Sequence, residues 1–454
     1  MEAAGITGPT VRFFLSALRQ VGDGERGLIP EADLEPVRGL PQLRDLASAT
    51  ETDAARLREL AVIKLNGGLG TSMGLERAKS LIPVKDGLSF LDLTARQVLA
   101  LRAGRSEPAF YLMNSFSTRA DTLAALDRYP DLARGEPLDF VQSKVPKLDA
   151  TTLEPVSWPE QPELEWCPPG HGDIYPSLLG SGLLDRLLAR GIRVLFVSNA
   201  DNLGATVDLR LLRYFGDSGL SFLMEVAERT VADRKGGHLA RRRSSGRLLL
   251  RESAQAPAAE ESWFQDFERH GFFNTNNLWL RLDHLRAELD RRSGLLPLPL
   301  ITNAKTLDPR RPDSPRVWQL ESAMGAAIEC FEHSGAVVVE RDRFAPVKTT
   351  SDLLAVRSDA YRVTEDYRLV LEERRRGVPP WIELDPAIYR VLGQFDARFP
   401  AGIPSLVDCE RLGVQGAVRF AGGVICRGRV ELRNTSAAEV ELPGGIYDGV
   451  ERAW

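Results

Sequence analysis

The chain has 454 residues, 43% apolar and 27% charged, which is the make-up of a globular protein long enough for more than one domain. A net charge of -5 lacks the basic surplus of a nucleic-acid-binding protein, and the runs Arg241-Arg242-Arg243 and Arg374-Arg375-Arg376 read as solvated surface. Cys167, Cys330, Cys409 and Cys426 are far apart with no CxxC pair, no basic-then-apolar leader opens the chain, and no apolar run approaches the roughly 20 residues of a membrane span. A cytoplasmic protein is expected, with no disulfides, zinc site, nucleic-acid partner or membrane partner.

Phe13, Phe14, Ala17, Leu18 and Val21 recur at helical spacing, and Asp53 to Leu60 reads as a second short helix. From Leu60 onward, short apolar runs alternate with helical stretches. Strands are expected at Leu60-Ala61-Val62-Ile63, Ala109 to Met113, Val194 to Val197 and Val337 to Val339. A helix is expected from Ser89, with Asp92 completing a capping box. Another is expected along the stripe Leu320, Ala323, Met324, Ala327, Ile328 and Phe331, whose members read as core. This alternation predicts an α/β fold with a mostly parallel sheet covered on both faces. Arg374 to Pro380 reads as exposed connector. Beyond Leu412 glycines punctuate short apolar pieces, which suggests an all-β tail, either a solenoid or a short sheet.

Lys64-Leu65-Asn66-Gly67-Gly68-Leu69-Gly70-Thr71-Ser72-Met73-Gly74 follows a strand. Its glycines let backbone N–H groups approach an anion or a flat ring, at the strand end where open α/β sheets bind ligands. A tight glycine turn explains the loop equally well taken alone. Lys79 follows at a distance from which its ammonium can fold over phosphates. Val197-Ser198-Asn199-Ala200-Asp201-Asn202 ends another strand with a carboxylate suited to Mg²⁺, or with an ordinary Asn/Asp turn. Cys167-Pro168-Pro169-Gly170-His171-Gly172-Asp173 fixes one histidine in a rigid loop. Pro346-Val347-Lys348-Thr349-Thr350-Ser351-Asp352 sets a lysine before a helix that Thr350 or Ser351 is expected to cap, forming either an anion site or an ordinary capped helix. Amides in Phe273-Asn274-Thr275-Asn276-Asn277 and around Gln142 offer both donor and acceptor to sugar hydroxyls or base edges.

KLNGGLGTSMG, LMNSFSTRADT, PPGHGDIY, FVSNADNLGATVD, FNTNNLW and RFAPVKTTSDLL, in this order, resemble the eukaryotic-type UTP–glucose-1-phosphate uridylyltransferases, or UDP-glucose pyrophosphorylases. The resemblance runs from Lys64 to about Tyr361 and more loosely into the tail. It implies a helical segment over residues 1–45, a Rossmann-like nucleotidyltransferase domain over 46–365 and a left-handed β-helix over 366–454. It implies uridine on the backbone of Leu65, Asn66, Gly67 and Gly68, with uracil contacts from Gln142 and Gly170. Asn199 would hold the ribose and Asp201 the Mg²⁺. Lys79 would contact the UTP phosphates and Lys348 the phosphates of both substrates, while His171 faces the sugar phosphate and Asn274 and Asn276 read sugar hydroxyls. Lys79, Lys348 and Asp201 are thereby the expected catalytic groups.

One stretch departs from the family. Leu75-Glu76-Arg77-Ala78-Lys79-Ser80 stands where the family has Cys-x-Gly-Pro-Lys-Ser, and Arg77 is expected to add positive charge near the phosphates. The expected partners are UTP and a sugar 1-phosphate, foremost that of glucose, with self-association through the C-terminal domain. Galactose, N-acetylglucosamine or glucosamine 1-phosphate remain alternatives on these residues, as does a non-catalytic UDP-sugar-binding protein.

Overall fold

The computed structural model describes residues 1–103, 107–230, 233, 234 and 236–454. Ten strands form the central sheet: β1 (Leu34–Pro36), β2 (Leu60–Asn66), β3 (Ala109–Asn114), β4 (Asp139–Val141), β5 (Val194–Asn199), β6 (Phe222–Glu228), β7 (His238–Arg242), β8 (Leu248–Arg251), β9 (Phe272–Arg281) and β10 (Ser334–Val338). β4, β3, β2 and β5 run parallel. β9 lies antiparallel between β5 and β6, and β10 is parallel to β6, so the sheet is mixed but largely parallel.

Strand residues alternate between two apolar cores. Ala61, Ile63, Leu195 and Val197 pack with Leu178, Leu184 and Leu285 on one face. Val62, Phe196 and Trp279 pack with Leu91, Val98 and Leu212 on the other. Burial of both faces explains why β2 and β5 read as unbroken apolar runs. Parallel pairing puts the carboxyl ends of β2 and β5 side by side, with Leu65 opposite Asn199. The glycine turn and the Asp201 turn therefore leave the sheet as neighbours.

The helix Gly8–Gly22 buries Phe13, Phe14, Ala17 and Val21, as its spacing predicts. Glu51–Ala55 is a short helix, and after one 3-10 turn Leu60 opens β2. Ser89 caps Phe90–Arg102 with the expected Asp92 box. The stripe from Leu320 to Phe331 is buried but is not one helix. Arg316–Ser322 is a strand paired with Leu300–Thr306, and Met324–Glu329 is a 3-10 turn. Val317 and Trp318 favour a strand, and Gly325 breaks the helix where Leu250 and Asn274 crowd it, a Cβ there coming within 2.7 Å and 3.0 Å of them.

In the C-terminal part, Trp381–Leu384, Ser405–Gln415, Val424–Arg433 and Gly445–Asp448 stack parallel, each on the last. A second parallel pair, Val418–Phe420 with Val440–Leu442, runs alongside. Their core of Leu412, Val414, Val418, Phe420, Val430 and Leu432 continues into Met73, Leu203 and Val347, from the segments that build the site. Among the described residues no helix is long and apolar enough to cross a membrane, and all four cysteines are buried and unpaired.

Candidate nucleotide site

The glycine turn closes on itself. Lys79 N–H donates to the Gly68 carbonyl at 3.1 Å and Gly70 N–H to the Arg77 carbonyl at 3.4 Å, with Leu69 bridged to Ala78. These bonds bring Lys79 back over the turn without the Gly-Pro pair. Arg77 is exposed and does not line the cavity below. The Asn66 side chain is turned away into a buried network, donating to Asn114 Oδ1 at 2.8 Å and Thr122 Oγ1 at 2.9 Å. At Gly67 a Cβ would lie 2.7 Å from Gln142 Oε1, so a larger residue there would push the Gln142 amide aside.

A cavity of about 320 Å³ opens here. Leu65, Asn66, Gly67, Gly68, Lys79, Gln142, Gly170, His171, Asn199 and Asp201 all line it, together with Ser80, Met113, Pro168 and Ala200. Lys79 Nζ pairs with Asp201 Oδ2 at 2.6 Å, both side chains about one-fifth exposed at 17% and 21%. The Ser80 hydroxyl, buried on the cavity wall, has no partner.

The Asp201 turn is held from below. Lys64, buried on β2, donates to Ser198 Oγ at 2.8 Å and to the Ala205 carbonyl at 2.6 Å. Burial pushes its ammonium down to about 7. Arg343 forks onto Glu225 with two bonds of 2.8 Å and donates to the Thr206 carbonyl at 2.9 Å. Asn202 donates to the Arg343 carbonyl at 3.1 Å. Both ions are buried, and Trp279 and Asn277 donate to the remaining lone pairs of Glu225 at 2.9 Å and 3.1 Å, as a buried pair requires.

His171 is half-buried against the turn Met324–Glu329. Its Nδ1 accepts from Met324 N–H at 2.9 Å, and burial lowers its pKa to about 4. The neutral ring therefore carries its proton on Nε2 at neutral pH. Gly170 has φ +77°, and a Cβ there would lie 2.4 Å from the Ser322 carbonyl oxygen. Its own carbonyl accepts from Gln142 Nε2 at 2.8 Å. Asp173 anchors the loop by accepting from Ser143 N–H at 2.7 Å and Ser177 Oγ at 2.6 Å, and burial raises its carboxyl to about 7.

Asn276 lies in a bulge of β9 and Asn274 flanks it, where the register against β6 jumps between Glu225 and Val226. Asn276 has φ +64°, and its amide donates to Asn199 Oδ1 at 3.0 Å. Neither amide lines the cavity itself; Asn276 is joined to it through Asn199, and Asn274 donates to Asn276 Oδ1 at 3.3 Å. Lys348 lies outside it as well. It lines an adjoining cavity of about 350 Å³ with Arg341, Tyr361 and Trp381. Its segment still touches the Asp201 turn, Val347 N–H donating to the Asp201 carbonyl at 3.4 Å and Pro346 bridging Asn202.

Thr349, rather than Thr350 or Ser351, caps the following helix, because Thr349 and Asp352 form the reciprocal box. Asp352 also accepts from Lys348 N–H at 2.9 Å and Thr349 N–H at 2.8 Å, so a carboxylate already takes the two amides that lead into the helix. Sequence reading did not single out Lys64, Ser80, Glu225 or Arg343, which hold or line this region. The Glu252 carboxylate sits against Gly237, whose carbonyl accepts from Asn274 N–H at 3.0 Å. Burial raises its pKa and the nearby charge of Lys348 opposes that.

The donor set fits magnesium delivered with a nucleotide. Among the described residues no three His, Cys, Asp or Glu side chains cluster as a protein-only metal cage. One carboxylate beside anion-binding amides is what Mg²⁺ uses when phosphate and water supply its other ligands.

A family model described as UTP–glucose-1-phosphate uridylyltransferase matches residues 17–427. An enzyme of that name from Encephalitozoon cuniculi is 40% identical over 414 residues, covering 90% of this chain and 80% of its own. One from Saccharomyces cerevisiae is 41% identical over 403 residues, covering 88% and 79%. A UDP-glucose pyrophosphorylase variant from Leishmania major, solved in complex with UDP-glucose, superimposes with a TM-score of 0.95 at 47% identity, covering 100% of this chain and 97% of that one. A UDP-glucose phosphorylase from Trypanosoma brucei gives 0.94 at 47% identity, covering 100% and 98%.

Proposed function

This chain belongs to the UTP–glucose-1-phosphate uridylyltransferase family, and we propose that it joins UTP to glucose 1-phosphate, giving UDP-glucose and pyrophosphate. The observation that carries the reading is the single cavity where the glycine turn, Lys79 and Asp201 meet, at the adjacent carboxyl ends of β2 and β5.

A phosphate oxygen of glucose 1-phosphate attacks the α-phosphorus of UTP, and the bond to the bridging oxygen breaks as pyrophosphate leaves. The nucleophile is already ionised at neutral pH, so no general base is needed. The obstacle is repulsion between anions, and the protein acts by alignment and charge. In this reading the backbone of Leu65, Asn66, Gly67 and Gly68 holds the uridine, Gln142 and Gly170 meet the uracil, and Asn199 meets the ribose. An arriving triphosphate competes with Asp201 for the Lys79 ammonium, which frees the carboxylate as the phosphates gain a cation. Mg²⁺ bound at Asp201 supplies further neutralisation of the phosphate charge. Neutral His171 offers Nε2–H to a sugar phosphate oxygen, while Asn274 and Asn276 read sugar hydroxyls. Lys348, exposed on a flexible stem beside the Asp201 turn, reaches the phosphates of both substrates.

We read residues 1–45 as a helical segment, 46–365 as the nucleotidyltransferase domain and 366–454 as a left-handed β-helix. The parallel stacking beyond Trp381 supports the last. Self-association through this part of the chain remains part of the reading, and a monomeric sedimentation coefficient at every concentration contradicts it. Unpaired thiols and the substrates' chemistry favour the cytoplasm, a reading that extracellular fractionation of the native protein contradicts.

A substrate panel tests the function: UTP with the 1-phosphates of glucose, galactose, N-acetylglucosamine and glucosamine, then glucose 1-phosphate with ATP, CTP and GTP. The expected result is UDP-glucose as the dominant product. A dominant product from any other pair, or none from UTP with glucose 1-phosphate, overturns the reading.

A further inference from the structure

We infer that Lys64 is a positioning residue for the turn that carries Asn199 and Asp201; the inference rests on the reading of that turn as the nucleotide and metal side of the site. Lys64 is 4% exposed, so its ammonium touches no substrate. It stands opposite Ser198 in the parallel pairing of β2 and β5. Its nitrogen donates to Ser198 Oγ at 2.8 Å and to the Ala205 carbonyl at 2.6 Å. Those acceptors lie at the entrance and the exit of the turn, so one side chain pins both of its ends. Arg343 holds the exit at Thr206 and the middle at Asn202, but it has no bond to the entrance.

A buried ammonium is a costly way to fill space. The charged groups facing it are Arg343, Glu225 and Asp201, and none of them forms an ion pair with it within 4 Å. A methionine fills similar volume without desolvating a charge. Lysine at this position is therefore accounted for by what its donors fix. They set the width of the turn and hence the distance from Asp201 to the glycine-turn amides. The same strand carries both constraints, since the residue after Lys64 begins the proposed uridine cradle.

Full-length Lys64→Met tests this. Circular dichroism and thermal melting report the fold, calorimetric UTP titration with and without Mg²⁺ reports the site, and kcat and KM report turnover. The expected result is a folded variant in which magnesium enhances UTP affinity at least about tenfold less than in the wild type, and kcat falls by about tenfold or more, the scale of a sub-ångström misplacement. Ser198→Ala keeps the lysine and removes one acceptor. It is expected to give a smaller change of the same sign, and it carries the test if Lys64→Met does not fold. Wild-type magnesium enhancement and kcat in the folded variants, whatever their melting temperatures, assign Lys64 to packing and overturn the inference. A wild type whose UTP affinity ignores magnesium overturns the underlying reading, and the inference with it.

Discussion

Gly170→Ala separates backbone geometry from side-chain chemistry, because it adds one methyl and removes no functional group. The residue has φ +77°, and the new Cβ would lie 2.4 Å from the Ser322 carbonyl oxygen and 2.8 Å from the Ser322 nitrogen. Holding an L-residue in the left-handed region costs about 1–2 kcal/mol. Relieving the clash requires the two backbones to part by about 1 Å, since ordinary contact begins near 3.5 Å. That movement breaks the bond from Ser322 N–H to the Pro169 carbonyl, now 3.0 Å, at a further net cost of about 1 kcal/mol. The total of about 2–3 kcal/mol leaves the protein folded but moves the loop. Gln142 then loses the Gly170 carbonyl and His171 shifts away from Met324. A displacement of about 1 Å in an aligning element costs about 100-fold in rate. Steady-state kinetics with UTP and glucose 1-phosphate, beside a thermal melt, is the assay. The expected result is a melting point lower by a few degrees with kcat/KM down about 100-fold. An unaltered kcat/KM refutes the claim that this loop aligns the substrates.

Lys348→Ala is expected to lower kcat by about 100-fold, the scale of losing one transition-state donor; a wild-type kcat in rapid-quench measurements contradicts its role. Arg77→Ala is expected to leave the KM for UTP unchanged, because the side chain lies off the cavity, and a severalfold rise contradicts that placement. His171 has a folded-state pKa depressed to about 4, so its contribution to stability is present above its unfolded value of 6.5 and is lost as pH falls toward 4. That gap is worth about 3 kcal/mol at 1.36 kcal/mol per unit. Asp173, raised to about 7, acts oppositely: its contribution is present below its unfolded value of 3.8 and is lost as pH rises through 7. Denaturant titrations of wild type and His171→Gln between pH 7 and pH 4.5 are expected to differ in slope, the wild type losing stability faster. Parallel slopes show that His171 is not held neutral.

Much of the candidate site's geometry was legible because its backbone parts are local. The glycine turn and the Asp201 turn each follow an apolar strand, and parallel pairing alone brings them together. The Ser89 box and the Phe13–Val21 face also follow from short-range spacing. The groups that steady the site were not legible. Glu225 and Arg343 are 118 positions apart, and a charged residue in a strand or loop looks like surface until its partner is placed beside it. Lys64 was read only as the first letter of a motif. The Leu320 to Phe331 stripe shows a different limit: strand followed by 3-10 turn buries the same residues as a helix, and only cross-strand pairing distinguishes them. Lys348 shows that sequence order does not fix reach, since its segment adjoins the Asp201 turn while its side chain lines the next cavity.

The most direct measurement is pyrophosphate release by the purified chain from UTP and glucose 1-phosphate, first with Mg²⁺ and then with excess chelator, for the wild type and Asp201→Asn. The account predicts release matched one for one by UDP-glucose, falling to background on chelation and strongly reduced in the variant. Undiminished release in Asp201→Asn, or none from the wild type with magnesium, contradicts it.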